Sequence, residues 1–262
     1  MLNLLKADFF RILKTKIVYV SLIIAFVLPL LMSGLVAGVV GLIGYDDPET
    51  ASAATQLISN QLLIQTTFSS TQNFGIIVPV FTVIVIMADI SSGTVRNKLI
   101  YGYKRHEIFA SHFITSLCYA LVVMLVYAGM TLLWSGVILG AFKNDTTSIT
   151  HYAYFYALGF LGVVTTVAIA CALSLSLLNT AGGIILTVVI CMFFGFLSPV
   201  LAMFEANYEE YVVHILRFLP GYAISYAEID TIKFIEGLGG VALFSGGFYA
   251  LGTFVFNCRD FK

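Results

Sequence analysis

Asp89-Ile-Ser-Ser-Gly-Thr-Val-Arg-Asn-Lys-Leu-Ile-Tyr-Gly-Tyr-Lys-Arg-His-Glu107 is a polar insert between two long apolar runs. Four cations, Arg96, Lys98, Lys104 and Arg105, fall inside it, out of 13 in the chain. The positive-inside bias makes such an insert cytoplasmic. Ser91 or Ser92 can cap a short helix whose last turn carries Arg96 and Lys98, and Gly102 can end that helix in a left-handed conformation. The expected picture is a short basic helix lying across the inner membrane face.

The flanking runs set the fold class. With 60% apolar residues and only 10% charged ones, the chain belongs with polytopic membrane proteins rather than with soluble domains. Six spans are expected, at residues 17–43, 74–88, 108–139, 152–178, 182–204 and 237–256, within one transmembrane domain covering 1–262. Runs of this length are too long for barrel strands, and open strands are not tolerated in lipid, so the bundle is all-α. Pro29 should kink the first span and Pro79 interrupt the second, while Gly34-x-x-x-Gly38 offers a close-approach surface to lipid, to the same chain or to another subunit.

Residues 1–16 precede the first span. Leu2, Leu5, Phe9, Ile12 and Leu13 share one helical face, with Asn3, Lys6, Arg11 and Lys14 on the other, which reads as an interfacial helix. A cleaved signal peptide would need a shorter apolar core than residues 17–43.

Charge bias orients the bundle. Lys6, Arg11, Lys14, Lys16, Arg96, Lys98, Lys104, Arg105, Arg259 and Lys262 fall on one side, and only Lys143, Arg217 and Lys233 on the other. That other side holds most of the acids, including Asp46, Asp47, Glu49, Glu209, Glu210 and Glu236. Both termini are therefore expected in the cytoplasm of a plasma-membrane protein. Before the last span, Tyr208, Tyr211, Val212, Ile215 and Phe218 are spaced as an amphipathic helix against the outer leaflet, broken by Pro220-Gly221.

Motifs for chemistry do not occur. There is no phosphate-binding glycine loop, no His-Glu-x-x-His and no Gly-x-Ser-x-Gly, and His106, His112, His151 and His214 are scattered over both sides. Cys118, Cys171, Cys191 and Cys258 lie in or beside apolar runs without metal-ligand spacing and read as small apolar residues. No charge sits at the predicted centre of a span, where an ion-coupled carrier would carry one. Neither a catalytic residue nor a metal or cofactor site of the chain's own is expected, and any uphill transport must draw energy from elsewhere.

The acid at the membrane exit, the Ser-Gly-Thr, the short helix and the Gly-x-x-Arg turn resemble the linker between the second and third spans of type-2 ABC exporter permeases, with Asp89, Gly93, Thr94, Leu99, Gly102 and Arg105 at the matching positions. Phe218-Leu219-Pro220-Gly221-Tyr222 resembles that family's proline-bearing stretch before the last span. Two positions depart from the pattern: Asp89 stands where the family commonly has Glu, and His112 near a place where it often has Lys. The resemblance implies an amphipathic elbow helix at residues 1–16, with Lys6, Arg11 and Lys14, and a coupling helix within residues 89–107. It also implies a re-entrant or amphipathic outer segment before the sixth span.

Asp89, Gly93, Thr94, Arg96, Asn97, Lys98, Leu99, Gly102 and Arg105 would meet a cytoplasmic ABC ATPase subunit. Two copies of that subunit, holding ATP and magnesium, would drive a dimer formed with a second permease copy or a paralogue in the bilayer; nucleic acid is not an expected partner. Small permeases of this kind resemble exporters of, or immunity factors against, amphipathic peptides, with lipids, drugs or polysaccharide as alternative cargo. A sensory or scaffold membrane protein is the alternative outside transport. Ser33, Thr82, Thr165, Thr166, Ser174 and Thr187 are the candidate path-lining groups, against the plainer reading that each hydroxyl bonds its own helix.

Overall fold

The computed structural model describes residues 2–46, 67–68, 73–139, 149–203, 210–219 and 229–258, which are helical almost throughout and contain no strand. Helix α1 spans Leu2–Lys14, α2 Lys16–Asp46, α3 Asn73–Ser91, α4 Thr94–Ile100, α5 Arg105–Trp134, α6 Ile149–Leu177, α7 Thr180–Met203, α8 Glu210–Leu216 and α9 Thr231–Cys258. Among the described residues five of them (α2, α5, α6, α7 and α9) are long and apolar enough to cross a membrane, and a sixth is reached when α3 is counted with the short α4, from which it is bent by 55°. The chain is thus a multi-pass helical membrane protein.

Neither proline ends its helix: α2 runs on through Pro29 and α3 through Pro79. Within a bundle a proline removes one backbone bond, which neighbouring groups can offset, and the apolar run on both sides has no other way to satisfy its amides. One turn after the first proline, the Ser33 hydroxyl bonds back to its own helix, donating to the Pro29 carbonyl at 2.8 Å. The third span, expected as one α-helix to residue 139, changes to a π-helical turn at Ser135–Leu139.

Helix α6 is the centre. It packs against α9, α3, α5 and α7, and 67% of its apolar window is buried against 11% for α9. The reason is steric. Ala168, Ala170, Cys171 and Ala172 are small and fully or nearly buried, so neighbours approach the α6 backbone closely. At Gly252 of α9 an added Cβ would lie 2.8 Å from the Ala172 Cα and 2.7 Å from the Phe109 ring. Phe109 also meets Tyr249 and Phe256, at ring separations of 5.2 and 6.1 Å. Helices α6 and α7 are joined at Leu178-Asn179 as an antiparallel hairpin, as their short connection implies.

The outer face of α2 stays open. Among the described residues nothing comes within 4 Å of a Cβ built on Gly34 or Gly38, so of the contacts open to that glycine pair the described part of the chain supplies none. The two glycines instead floor a groove whose walls include Leu30, Leu35, Leu42 and Ile138.

At the end of the bundle away from α4, α8 and the turn after it fold onto the start of α9. Glu236 accepts from His214 at 2.5 Å and from Arg217 at 3.1 Å. The Phe218 carbonyl lies where a Cβ on Gly240 would sit. Val213 of α8 is buried, while Ile215 and Phe218, expected to face the outer leaflet, are exposed; Tyr208 and the Tyr211 side chain lie outside the described residues. The Pro220-Gly221 break, the loops carrying Asp47, Glu49 and Lys143, and the tail with Arg259 and Lys262 lie outside the described residues.

Candidate functional site: a charged junction around the short helix

Helix α4 is positioned by glycine at both ends. The expectation that Ser91 or Ser92 caps it is not met: its N-cap is Gly93, at φ 70°, and the two serine hydroxyls donate back to Ala88 and Asp89 carbonyls of α3. Following α3 directly, the chain must turn sharply, and glycine takes the left-handed φ at little cost while the serines remain in the α3 ladder. The other end is as expected. Gly102 has φ 86°, Tyr103 N–H donates to the Lys98 carbonyl at 3.2 Å and Gly102 N–H to the Leu99 carbonyl at 3.0 Å, which is a Schellman turn. Glu107 then accepts from the Lys104 N–H at 3.1 Å and starts α5.

This frame gives α4 two faces. Val95 and Lys98 are buried and Leu99 packs on the core, while Arg96, Asn97, Ile100 and Tyr101 point outward. Ile100 is 73% and Tyr101 83% exposed, an unusual position for two large apolar groups at the tip of a polar turn.

Beneath the inward face lies a charged cluster drawn from four helices. Lys98 straddles the Asp8 carboxylate, at 2.7 Å from Oδ1 and 2.9 Å from Oδ2. Ser111 of α5 donates to Asp8 Oδ2 at 2.6 Å. Arg11 pairs with Asp89 at the end of α3 and donates to Thr94 Oγ1 at 2.7 Å, and Thr94 also shares a hydrogen bond with Ser92 at 2.6 Å. His112 bridges the two pairs, with Nδ1 3.5 Å from Asp89 and Nε2 3.5 Å from Lys98. Two carboxylates face two cations, so the formal charges cancel, and charges this far from water require such pairing.

Burial pushes the Asp8 carboxyl up, but the hydrogen bonds from Lys98 and Ser111, with the charges of His112 and Lys98, outweigh it and hold Asp8 below its ordinary 3.8. Burial also holds Lys98 below the ordinary lysine range, its bonds to Asp8 offsetting this only in part. For Arg11, burial is again the first cause of a lowered value, opposed by Asp8.

The residues expected to face a soluble partner are therefore divided. Arg96 and Asn97 are exposed, Gly102 forms the outer turn, and Asp89, Lys98 and part of Thr94 and Leu99 are turned into the protein. Arg105 does neither. Its guanidinium donates to the Asn257 carbonyl at 2.9 Å and to the Phe256 carbonyl at 3.4 Å, and so holds the end of α9 against the start of α5. Arg105→Ala should lower stability by about 1 kcal/mol, a charged hydrogen bond discounted for its partial exposure. Thermal unfolding in detergent measures this; Arg105→Lys recovering the full value would show that charge suffices and the guanidinium geometry does not matter.

Helix α1 carries the residue that sequence reasoning missed. Asp8 was not singled out, although Leu4, Asp8 and Ile12 lie one turn apart and all three are buried against the bundle. An acid between two apolar residues on one helical face is the signal that could have found it. The expected division of α1 is corrected accordingly: Arg11 belongs to the inward face and Phe9 and Leu13 point away, while Lys6 and Lys14 are exposed as expected. Asp8 and Arg11 need partners that only protein supplies, whereas Phe9 and Leu13 have lipid as a second apolar medium.

Of the six path-lining candidates, five bond their own helix. Ser33 donates to Pro29, Thr82 to Val78, Thr166 to Val163, Ser174 to Ala170 and Thr187 to Gly183, at 2.6 to 2.9 Å. Thr165 alone among them is buried without a hydrogen-bond partner. Among the described residues no group of three or more His, Cys, Asp or Glu side chains is placed to hold a metal ion. No family model and no curated protein matches the chain.

Proposed function

We propose that this chain is the permease subunit of an ATP-driven exporter of the type-2 ABC kind, with amphipathic peptides, antimicrobial ones included, as cargo. The observation that carries the reading is α4: a short basic helix ending in an exposed Ile100–Tyr101 tip, whose buried Lys98 pairs with Asp8 of α1 and lies 4.0 Å from Asp89 of α3 and 3.5 Å from His112 of α5. A soluble ATPase docking on the exposed tip would pull or push all three helices together, because breaking any buried pair costs several kcal/mol whereas moving the junction as a unit costs none of them. An aromatic and an aliphatic side chain at the centre of such a contact are typical anchors.

In this reading α4 is the coupling helix and α1 the elbow, both on the cytoplasmic side. ATP and magnesium belong to two partner ATPase subunits, and a second permease copy or a paralogue completes the path. Cargo recognition in the described bundle would be mostly apolar, since five of the six candidate hydroxyls are already committed; Thr165 is the one that remains to meet a polar group.

Tagged permease should bring down an ATP-hydrolysing subunit, and the reconstituted pair, unlike the permease alone, should expel a fluorescent amphipathic peptide from vesicles. Tyr101→Asp should cut recovery of that subunit by tenfold or more, about the loss expected of an interface anchor. ATP hydrolysis by the permease alone, or undiminished recovery with Tyr101→Asp, would overturn the reading.

Orientation has its own check. In a variant without the native cysteines, Lys16→Cys and Arg96→Cys should resist an impermeant thiol reagent applied to intact cells, and Asp46→Cys should react. Labelling at position 96 would place α4 on the wrong side for any cytoplasmic ATPase.

A further inference from the structure

Helix α1 has two working faces, of which the charged junction uses only one. Leu4, Asp8, Arg11 and Ile12 turn to the bundle, whereas Phe9, Phe10 and Leu13 are 41, 61 and 55% exposed. Lys6 lies among these three on the helix surface, and Lys14 stands at the edge with its ammonium 4.2 Å from the centre of the Phe10 ring. Nothing else in the described chain covers this face.

We infer that the outer face of α1 is a binding surface for anionic phospholipid. The exposed apolar residues of α1 are followed, after the break at Thr15, by the exposed Tyr19, Val20 and Ile23 of α2, a helix apolar and long enough to span the membrane, so α1 leads directly into a segment that lipid covers. The charges on the face are of one sign. Lys6 and Lys14 can bury their aliphatic stems beside Phe10 and Leu13 while their ammonium groups reach phosphate, and no acid shares the face because Asp8 points the other way. A protein partner would need to bring both an apolar patch and acidic groups, whereas an anionic leaflet supplies both at this depth.

Because Asp8 and Arg11 on the opposite side hold Lys98, Asp89 and Thr94, the lipid contact would fix the position of α1 and through it that of α4. The surface itself requires only that the chain sits in a membrane, and holds whether or not the chain is a transporter.

The chain has one tryptophan, so Trp134→Phe with Phe10→Trp gives a single reporter on this face. The purified full chain is reconstituted in vesicles of phosphatidylcholine mixed with phosphatidylglycerol, with bromine in the acyl chains of one lipid or the other. Fluorescence should be quenched by bromolipid and shielded from aqueous acrylamide. Quenching by brominated phosphatidylglycerol should exceed that by brominated phosphatidylcholine several-fold, since each lysine near an anionic surface contributes a preference of roughly fivefold. Lys6→Gln with Lys14→Gln should abolish the preference and keep the quenching. Leu13→Trp, in place of Phe10→Trp, reports the same face if the first variant fails to fold. Acrylamide quenching without bromolipid quenching would overturn the lipid contact; equal quenching by the two lipids would overturn its selectivity.

Discussion

Lys98→Met is expected to lower the unfolding free energy by about 3–5 kcal/mol, because it strips the buried Asp8 carboxylate of its paired cation and leaves it the Ser111 hydrogen bond and the longer-range charges of Arg11 and His112. The same change weakens the support of Asp89, 4.0 Å from the lysine. Removing both ends of the pair is a different matter: Asp8→Asn with Lys98→Met restores neutrality, and the double variant should recover a large part of the loss. Thermal or denaturant unfolding in detergent, done on the two single variants and the double one, closes the cycle. Additive losses would mean that the two groups do not act as a pair. Acid offers an independent view of Asp8. Its pKa is depressed in the folded state, so its contribution is present above the ordinary value of 3.8 and is lost as the pH falls below it through the folded value. Lys98→Met should flatten the acid limb of the stability profile.

Gly252→Ala is the second large effect. The new methyl would lie 2.7 Å from the Phe109 ring and 2.8 Å from the Ala172 Cα and Cβ, and the last two atoms belong to the rigid backbone region of α6. Overpacking of this kind costs about 1–3 kcal/mol, and Gly252→Leu should cost more or prevent assembly. Gly247 provides the control on the same helix. Among the described residues nothing lies within 4 Å of its built Cβ, so Gly247→Ala should be neutral or stabilise by about 0.4–1 kcal/mol through the unfolded chain. Equal unfolding midpoints for the two alanine variants would show that α9 does not approach α6 at Gly252.

The long helices were legible because a membrane leaves an apolar run few alternatives, and their ends fall within a few residues of those expected, except for the sixth span, whose helix starts at Thr231 rather than residue 237. Gly102 was legible too, since a glycine after a basic last turn has a local meaning. The Gly93 cap was not, because serines before a helix and serines ending one look alike until the bend between α3 and α4 is known. The charged junction was even less visible. Asp8 pairs with Lys98 and Arg11 with Asp89, partners some eighty to ninety residues away in the chain, and no periodicity encodes such a match. The face of α1 followed the same logic, with the polar pairs, rather than the largest apolar set, deciding which side turns inward. Arg105 was expected among the residues that meet a soluble partner, and the carbonyls it reaches belong to α9, which the sequence could not name.

The central place of α6 bears on how the protein is made. Its main partner, α9, is translated more than fifty residues later, so the surface at Ala172 that receives Gly252 has no mate when α6 itself enters the membrane. Until then that face must be tolerated by lipid or by the insertion machinery, and a chain interrupted before residue 231 would present it permanently to membrane quality-control proteases. Completion of α9 is the step at which this bundle becomes able to survive them.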